Sequence, residues 1–228
     1  MVAAGVYHRG PGGSGTISAD SDPYTSVYMG GTMGVVPTLY YDFDVKDKRR
    51  DISVVAFRWA DGVQELTRPS MMTGGKLRAE WKDPSLAKFS ANANDGITPI
   101  VLRYADVLLM FAEAQNEVDA TPSDAVYDAV NRVRGRVGMP TYAYGSKSQS
   151  EMREIIRHER RVEFAGEGLY YNDIRRWMTA ELVMNAVIQD YAGTDIAVRA
   201  FDPDRDYWWP VPADQILLNK KLEQNPNY

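Results

Sequence analysis

Two glutamates, Glu159 and Glu163, lie one helical turn apart in the stretch IRHERRVEFAGEGLYYNDIRRW, and their spacing could support chemistry. Positions four residues apart share one face of an α-helix, so both carboxylates project close to the apolar side chains of Ile155 and Ile156. A carboxylate beside a buried face is costly unless a cation meets it. The pair therefore indicates either a structural ion-pair network or a catalytic pair of carboxylates.

The arginines of the same stretch favour the structural network. Arg161 is one available partner, and the network that we predict consists of Arg157, Glu159, Arg160, Glu163, Arg175 and Arg176. Neighbouring arginines lower the pKa of a carboxyl group, whereas a general acid in glycoside hydrolysis needs a raised pKa. We therefore expect no catalytic residue and no enzymatic activity.

The composition argues against several other kinds of site. The chain of 228 residues has no cysteine and two histidines, so we expect neither a metal site nor a cofactor. The net charge of -5 disfavours nucleic acid as a partner. The acidic turn DPDRD lacks the glycine and the terminal glutamate of a calcium loop.

Helices must position the paired acids, and hydrophobic periodicity predicts them in the second half of the chain. Thr121 with Pro122 is the predicted start of one helix, and Ser148 with Glu151 forms a capping box for the next. The first helix is predicted to be buried on most sides, and the second to bury one face, which carries Val126, Ala129, Val130, Val133 and Val137. The predicted helices cover residues 100–118, 122–138, 149–166 and 170–193. Beyond them, Tyr207, Trp208 and Trp209 are predicted to anchor an extended tail.

The first half of the chain is predicted to differ from the second. Val35–Phe43 and Asp51–Trp59 are rich in β-branched and aromatic residues, which predicts an antiparallel pair of strands. Glycine and proline interrupt most of the remainder. We predict a loop-rich subdomain with short strands over residues 1–98 and a helical region over residues 99–228, packed as one compact unit.

Four segments resemble signatures of the SusD/RagB family, in the order in which that family has them. They are RYADVLLMFAEAQNEV (103–118), VNRVRGRVGMP (130–140), RHERRVEFAGEGLYYNDIRRW (157–177) and WWPVPADQILLNKKLEQNPNY (208–228). Arg49–Asp51 also resembles a D-x-R segment of that family. Tyr170, Tyr171 and Asn227 depart from the family pattern, which often has arginine or tryptophan at the first two positions and glycine at the third.

The resemblance implies a mainly α-helical fold with tetratricopeptide-like helical hairpins, a loop-rich subdomain and a short β-hairpin. It implies an outer-membrane lipoprotein of Bacteroidetes-type bacteria that binds a glycan or another nutrient at the cell surface. Such a protein delivers its ligand to a SusC-like TonB-dependent transporter and performs no catalysis. Family members are longer and begin with a lipoprotein signal, so we expect membrane attachment only through a lipid anchor outside this sequence.

The four signatures are scaffold in that family, so the resemblance assigns no ligand contact to any residue. Sugar rings stack on exposed aromatic faces, which loops can present. The candidate ligand-binding residues are therefore aromatic side chains of the first region: Tyr7, Tyr24, Tyr28, Trp59 and Trp81. Two alternatives stay open, namely a helical protein-interaction scaffold without a sugar ligand and an α-helical glycosidase.

Overall fold

The computed structural model describes residues 35–55, 57–60, 63–66, 73–76, 100–189 and 194–228. The described residues are mainly helical with short antiparallel strand pairs, which confirms the predicted fold class. The chain divides into two compact units, Met1–Glu167 and Gly168–Tyr228. We predicted a boundary between residues 98 and 99. Both residues lie outside the described ranges, so this boundary stays a prediction.

The described part of the first unit begins with two short helices, α1 (Pro37–Asp42) and α2 (Arg49–Ser53). The prediction of a strand over Val35–Phe43 is therefore wrong. Pro37 occupies the first turn of α1, where its fixed φ suits a helix and its missing N–H costs nothing. Apolar side chains of α1 pack beside Phe43 and Val54, so tertiary packing overrides the strand propensity.

Four short strands follow: β1 (Val54–Val55), β2 (Phe57–Ala60), β3 (Val63–Leu66) and β4 (Thr73–Gly74). β1 pairs with β4, and β2 pairs with β3 in a hairpin that places Ala60 opposite Val63. A short β-hairpin is thus present, but its partners differ from the predicted ones. Between these two strands the sequence reads Asp61-Gly62, a dipeptide typical of two-residue hairpin turns.

Three longer helices frame the first unit: α3 (Tyr104–Val118), α4 (Asp124–Arg136) and α5 (Gln149–Glu163). α3 packs against both α4 and α5. The predicted capping box of α5 is confirmed, because Ser148 Oγ accepts from the Glu151 N–H and Glu151 accepts from the Ser148 N–H. The predicted buried face of α4 is confirmed as well, although its N-cap is Ser123 rather than Thr121.

The predicted burial of the first long helix on most sides is wrong. Leu109 and Ala112 of α3 are fully buried, but Tyr104, Val107 and Phe111 are 57%, 42% and 45% exposed. Among the described residues, α4 and α5 are the helices that pack against α3. The sequence of α3 is apolar on more of its circumference than these two neighbours cover.

The second unit contains α6 (Tyr170–Arg176), α7 (Ala180–Met184), β5 (Val187–Gln189), β6 (Asp195–Val198) and α8 (Ala213–Leu218). The predicted single helix up to Gly193 is wrong. Met178 takes a φ of 55° after α6, and the β-branched Val187 and Ile188 pair with β6. Of the three predicted anchors of the tail, Tyr207 is buried in the core of this unit, whereas Trp208 and Trp209 are 62% and 65% exposed.

Candidate functional site

The paired acids Glu159 and Glu163 lie on the buried face of α5. Met152, Ile156, Glu159 and Glu163 follow the seven-residue spacing of one helical face, and each is almost fully buried. The two glutamate side chains retain 0% and 1% of their solvent exposure. Ion pairs must compensate the loss of hydration of two adjacent carboxylates at such burial.

Arg49 of α2 contacts both carboxylates at once. Its Nη1 lies 2.5 Å from Glu159 Oε1 and 2.9 Å from Glu163 Oε2. Its Nε and Nη2 donate to Asp47 at 2.9 Å and 2.6 Å, so the planar guanidinium is shared among three carboxylates. The side chain of Arg49 is only 6% exposed, which makes this arginine the centre of the cluster.

Three further arginines complete what we call the arginine cage, which consists of Arg49, Arg103, Arg134 and Arg136. Arg134 of α4 donates to Glu159 Oε2 at 2.9 Å, and Arg136 donates to Glu163 Oε1 at 2.8 Å. Arg103, at the N-cap of α3, donates to Glu163 Oε1 at 2.6 Å and stacks on the ring of Phe164. The cage therefore ties α2, α3 and α4 to α5.

Glu167 and Lys76 form the outer part of the cluster. Arg103 Nε donates to Glu167 Oε2 at 2.8 Å, and Lys76 Nζ lies 2.5 Å from Glu167 Oε1. Lys76 also donates to the backbone carbonyl of Glu163 at 2.6 Å. Burial lowers the pKa of Lys76, and the nearby Glu167 carboxylate opposes that shift. This lysine covers the C-terminal end of α5, where a cation is favourable.

The surroundings of Glu163 and Asp47 favour the ionised form of both carboxyl groups. Burial acts to raise the pKa of Glu163, but hydrogen bonds from Arg103 and Arg49 outweigh burial and hold the pKa below its usual value. Burial likewise acts against Asp47, and its hydrogen bonds with Arg49 lower its pKa overall. A carboxyl group with a lowered pKa is a poor general acid near neutral pH.

These shifts predict that acid destabilises the fold. Because the pKa of Glu163 is lower in the folded chain than in the unfolded chain, its contribution is complete above the unfolded value and is lost as pH falls through the folded value. We expect the free energy of unfolding, measured in urea from pH 7 to pH 3, to decrease once the pH is below about 4 to 5. Glu163→Gln should flatten that decline, whereas equal pH slopes in both proteins would contradict this origin.

The arginines of the cage differ from those that the sequence analysis named. Arg160 is buried but lies 2.9 Å from Asp106 and 3.9 Å from Glu113 of α3. Arg157 pairs with Glu154 one turn earlier on α5. In the second unit, Arg175 donates to the carbonyl of Tyr207 and Arg176 pairs with Asp173.

The missed arginines carried a signal in the sequence. Arg103 begins the first matched signature, Arg134 and Arg136 lie in the second, and Arg49 belongs to the D-x-R segment. The third signature supplies Glu159 and Glu163, so separate motifs of the sequence meet in one cluster. Helical periodicity relates residues within one helix, and it could not show that arginines from three other segments meet one face of α5.

The structure does not locate the predicted sugar-stacking aromatics. Tyr7, Tyr24, Tyr28 and Trp81 lie outside the described residues, and Trp59 lies in β2 without a described side chain. These five positions stay predictions. The part of the chain that the structure describes contains no group of three histidine, aspartate or glutamate side chains suited to a metal ion. None of its helices has the length and apolar character to cross a membrane.

The matched signatures and the fold agree with one family. A model of the SusD family matches residues 83–228 of the chain. The chain belongs to the SusD family. It is 32% identical over 221 residues to SusD-like protein P2 of Formosa agariphila, which covers 90% of this chain and 42% of the relative. It is also 30% identical over 141 residues to SusD-like protein P38 of the same bacterium, covering 59% of this chain and 25% of that relative.

Solved structures of SusD homologues share the fold. A SusD homologue from Bacteroides thetaiotaomicron superposes with a TM-score of 0.68 at 23% identity, over 98% of this chain and 51% of that one. A SusD-like carbohydrate binding protein from Bacteroides fragilis superposes with a TM-score of 0.62 at 25% identity, over 82% of this chain and 48% of that one. The chain therefore spans about half of these structures and less than half of the curated relatives.

Proposed function

We propose that the chain is part of a SusD-like protein that binds a glycan at the cell surface and delivers it to a SusC-like TonB-dependent transporter of the outer membrane. The match of residues 83–228 to the SusD family carries this proposal. The likeness to a SusD-like carbohydrate binding protein supports a glycan as the ligand class. A lipid anchor is the means of membrane attachment in this proposal.

The arginine cage supports binding rather than hydrolysis. A glycosidase needs two carboxyl groups that can reach a sugar, one of them with a raised pKa. Glu159 and Glu163 are buried, each accepts hydrogen bonds from arginines, and the pKa of Glu163 is lowered. In this proposal the acidic pair is a structural clamp between helices, and the ligand contacts come from aromatic side chains such as Trp59 and Trp81.

Affinity electrophoresis tests the proposal directly. We expect the 228-residue chain to be retarded in a native gel that contains its polysaccharide, within a panel of neutral and acidic plant, algal and host glycans. Trp81→Ala and Trp59→Ala should each reduce the retardation where these rings stack on sugar. Migration equal to that of a non-binding reference protein in every gel would overturn the proposal.

A second candidate function is a helical protein-interaction scaffold without a sugar ligand. The observation that favours it is the apolar surface that Tyr104, Val107 and Phe111 of α3 expose. This function predicts that the chain captures a protein partner while no polysaccharide retards it. Electrophoresis and partner capture on the same preparation therefore separate the two candidates.

A further inference from the structure

An exposed indole in the tail of the second unit lies on an aromatic and cationic support. Trp209 is 65% exposed, and its ring centroid lies 6.1 Å from that of Tyr171 with the two planes tilted by 56°. The guanidinium carbon of Arg175 lies 5.0 Å from the indole centroid and 5.5 Å from the Tyr171 ring. The three side chains therefore form one contiguous surface, which we call the Trp209 platform.

The platform is fixed to the core of its unit. Tyr171 packs against the buried cluster that contains Ile174 and Tyr207. Arg175 donates to the carbonyl of Tyr207, and Asn225 Nδ2 donates to the carbonyl of Trp209 at 2.6 Å. Because these contacts already order the ring, a ligand that binds there loses little affinity to the cost of immobilising it.

We propose that the Trp209 platform is a subsite for one sugar ring of a glycan, a step that rests on the function proposed above. The apolar face of a pyranose stacks on an indole face, and an arginine beside it can donate hydrogen bonds to ring hydroxyls. Among the described residues, Arg175 forms no ion pair, and its buried Nε has no hydrogen-bond acceptor. The guanidinium is therefore not neutralised by a neighbouring carboxylate among these residues, and its Nη1, rather than the buried Nε, can donate to a ligand.

The dimensions of the platform favour a saccharide over a protein partner. One tryptophan side chain offers about 150 to 250 Å² of surface, which is enough to cover a single sugar ring. A stable protein interface needs about 800 Å² from each partner. The platform consists of two rings and a guanidinium, and the side-chain amide of Asn225 lies beside them. It therefore matches a small ligand that has an apolar face and hydroxyl groups at its edge.

Trp208 provides a matched comparison within the same segment. Its side chain is 62% exposed, close to the value for Trp209. Among the described residues, however, the Trp208 ring stacks on no other aromatic ring and meets no cation, whereas its backbone carbonyl accepts from Tyr228 Oη at 3.0 Å. An indole without a support must lose its side-chain freedom on binding, so Trp208 should contribute less than Trp209.

The experiment compares Trp209→Ala, Trp209→Phe and Trp208→Ala with the unaltered chain in gels that contain the polysaccharide retarding it most. We expect Trp209→Ala to raise the apparent Kd about tenfold or more, Trp209→Phe to raise it less, and Trp208→Ala to change it little. Leu218→Ala, which removes an 82% exposed aliphatic side chain from α8, should bind as the unaltered chain does. Equal melting temperatures establish that the variants are folded.

The outcomes separate this inference from the function on which it rests. If the unaltered chain is retarded and Trp209→Ala is retarded equally, the subsite is overturned and glycan binding stands. Equal losses in Trp208→Ala and Trp209→Ala would overturn the assignment to the supported ring. If Trp209→Ala keeps full retardation but no longer co-purifies with a SusC-like transporter, the platform is a protein contact instead. Absence of retardation for the unaltered chain in every gel would refute glycan binding itself.

Discussion

Replacing Arg49 by methionine is expected to lower the free energy of unfolding by about 3 to 5 kcal/mol, the usual cost of breaking a buried ion pair. Arg49 is the one guanidinium that contacts Asp47, Glu159 and Glu163 together among the described residues. Methionine replaces the aliphatic stem of arginine but supplies no guanidinium, so it leaves three carboxylates with fewer partners. Urea denaturation measures the effect without adding salt that screens ion pairs.

The neighbouring Arg50 supplies the matched control for this substitution. It lies on the same short helix, and its partner Asp51 is 67% exposed on its side chain. Solvent screens such a pair, so Arg50→Met should lower the free energy of unfolding by at most about 1 kcal/mol. Similar losses in the two variants would show that burial of the cage does not determine its energetic importance.

Glu159→Gln is expected to lower the free energy of unfolding by about 3 kcal/mol and to lower the melting temperature with it. The side chain of Glu159 is fully buried, with Arg49 on one carboxylate oxygen and Arg134 on the other. A glutamine amide accepts one of these hydrogen bonds, but its NH₂ group then faces a second donor. Arg49 and Arg134 also lose the negative charge of Glu159, which both of them contact.

Glu154→Gln on the same helix is the control for Glu159→Gln. The Glu154 side chain is 70% exposed and pairs with Arg157 one turn later, so its loss should change the melting temperature little. An unchanged melting temperature in Glu159→Gln would remove the structural account of the acidic pair. Release of new reducing ends from a polysaccharide, abolished by the same substitution, would instead identify a glycosidase.

Local sequence signals predicted the parts of the fold that depend on local interactions. The capping box at Ser148 and Glu151 and the apolar stripe of α4 both depend on the spacing of residues within one helix, so the sequence revealed both. The strand predicted over Val35–Phe43 failed because the segment forms a helix whose Leu39 and Tyr40 pack beside Phe43 and Val54. The helix predicted beyond α7 failed because Val187 and Ile188 pair with Val198 and Ala197 of β6.

The candidate site likewise divides into features that local sequence predicts and contacts that only tertiary packing determines. The sequence indicated that carboxylates on a buried helical face require guanidinium partners, and it placed those partners on α5 and α6. The structure instead places Arg160 on Asp106, and it brings Arg49 and Arg134 to Glu159. Side chains that follow each other along one helix point in different directions, so closeness in sequence does not determine which arginine reaches which acid.

The sequence alone determined the family, the helical class and the need for cations around Glu159 and Glu163, because each follows from residue types and short-range spacing. Only the tertiary structure decided which arginines form the cage, because Arg49 is separated from Glu159 by 110 residues and the two meet only when α2 packs on α5. It also decided that Tyr207 is buried while Trp209, two residues later, remains exposed. Neighbouring aromatic residues have the same tendency to be buried, and the packing of the surrounding core determines which of them is covered.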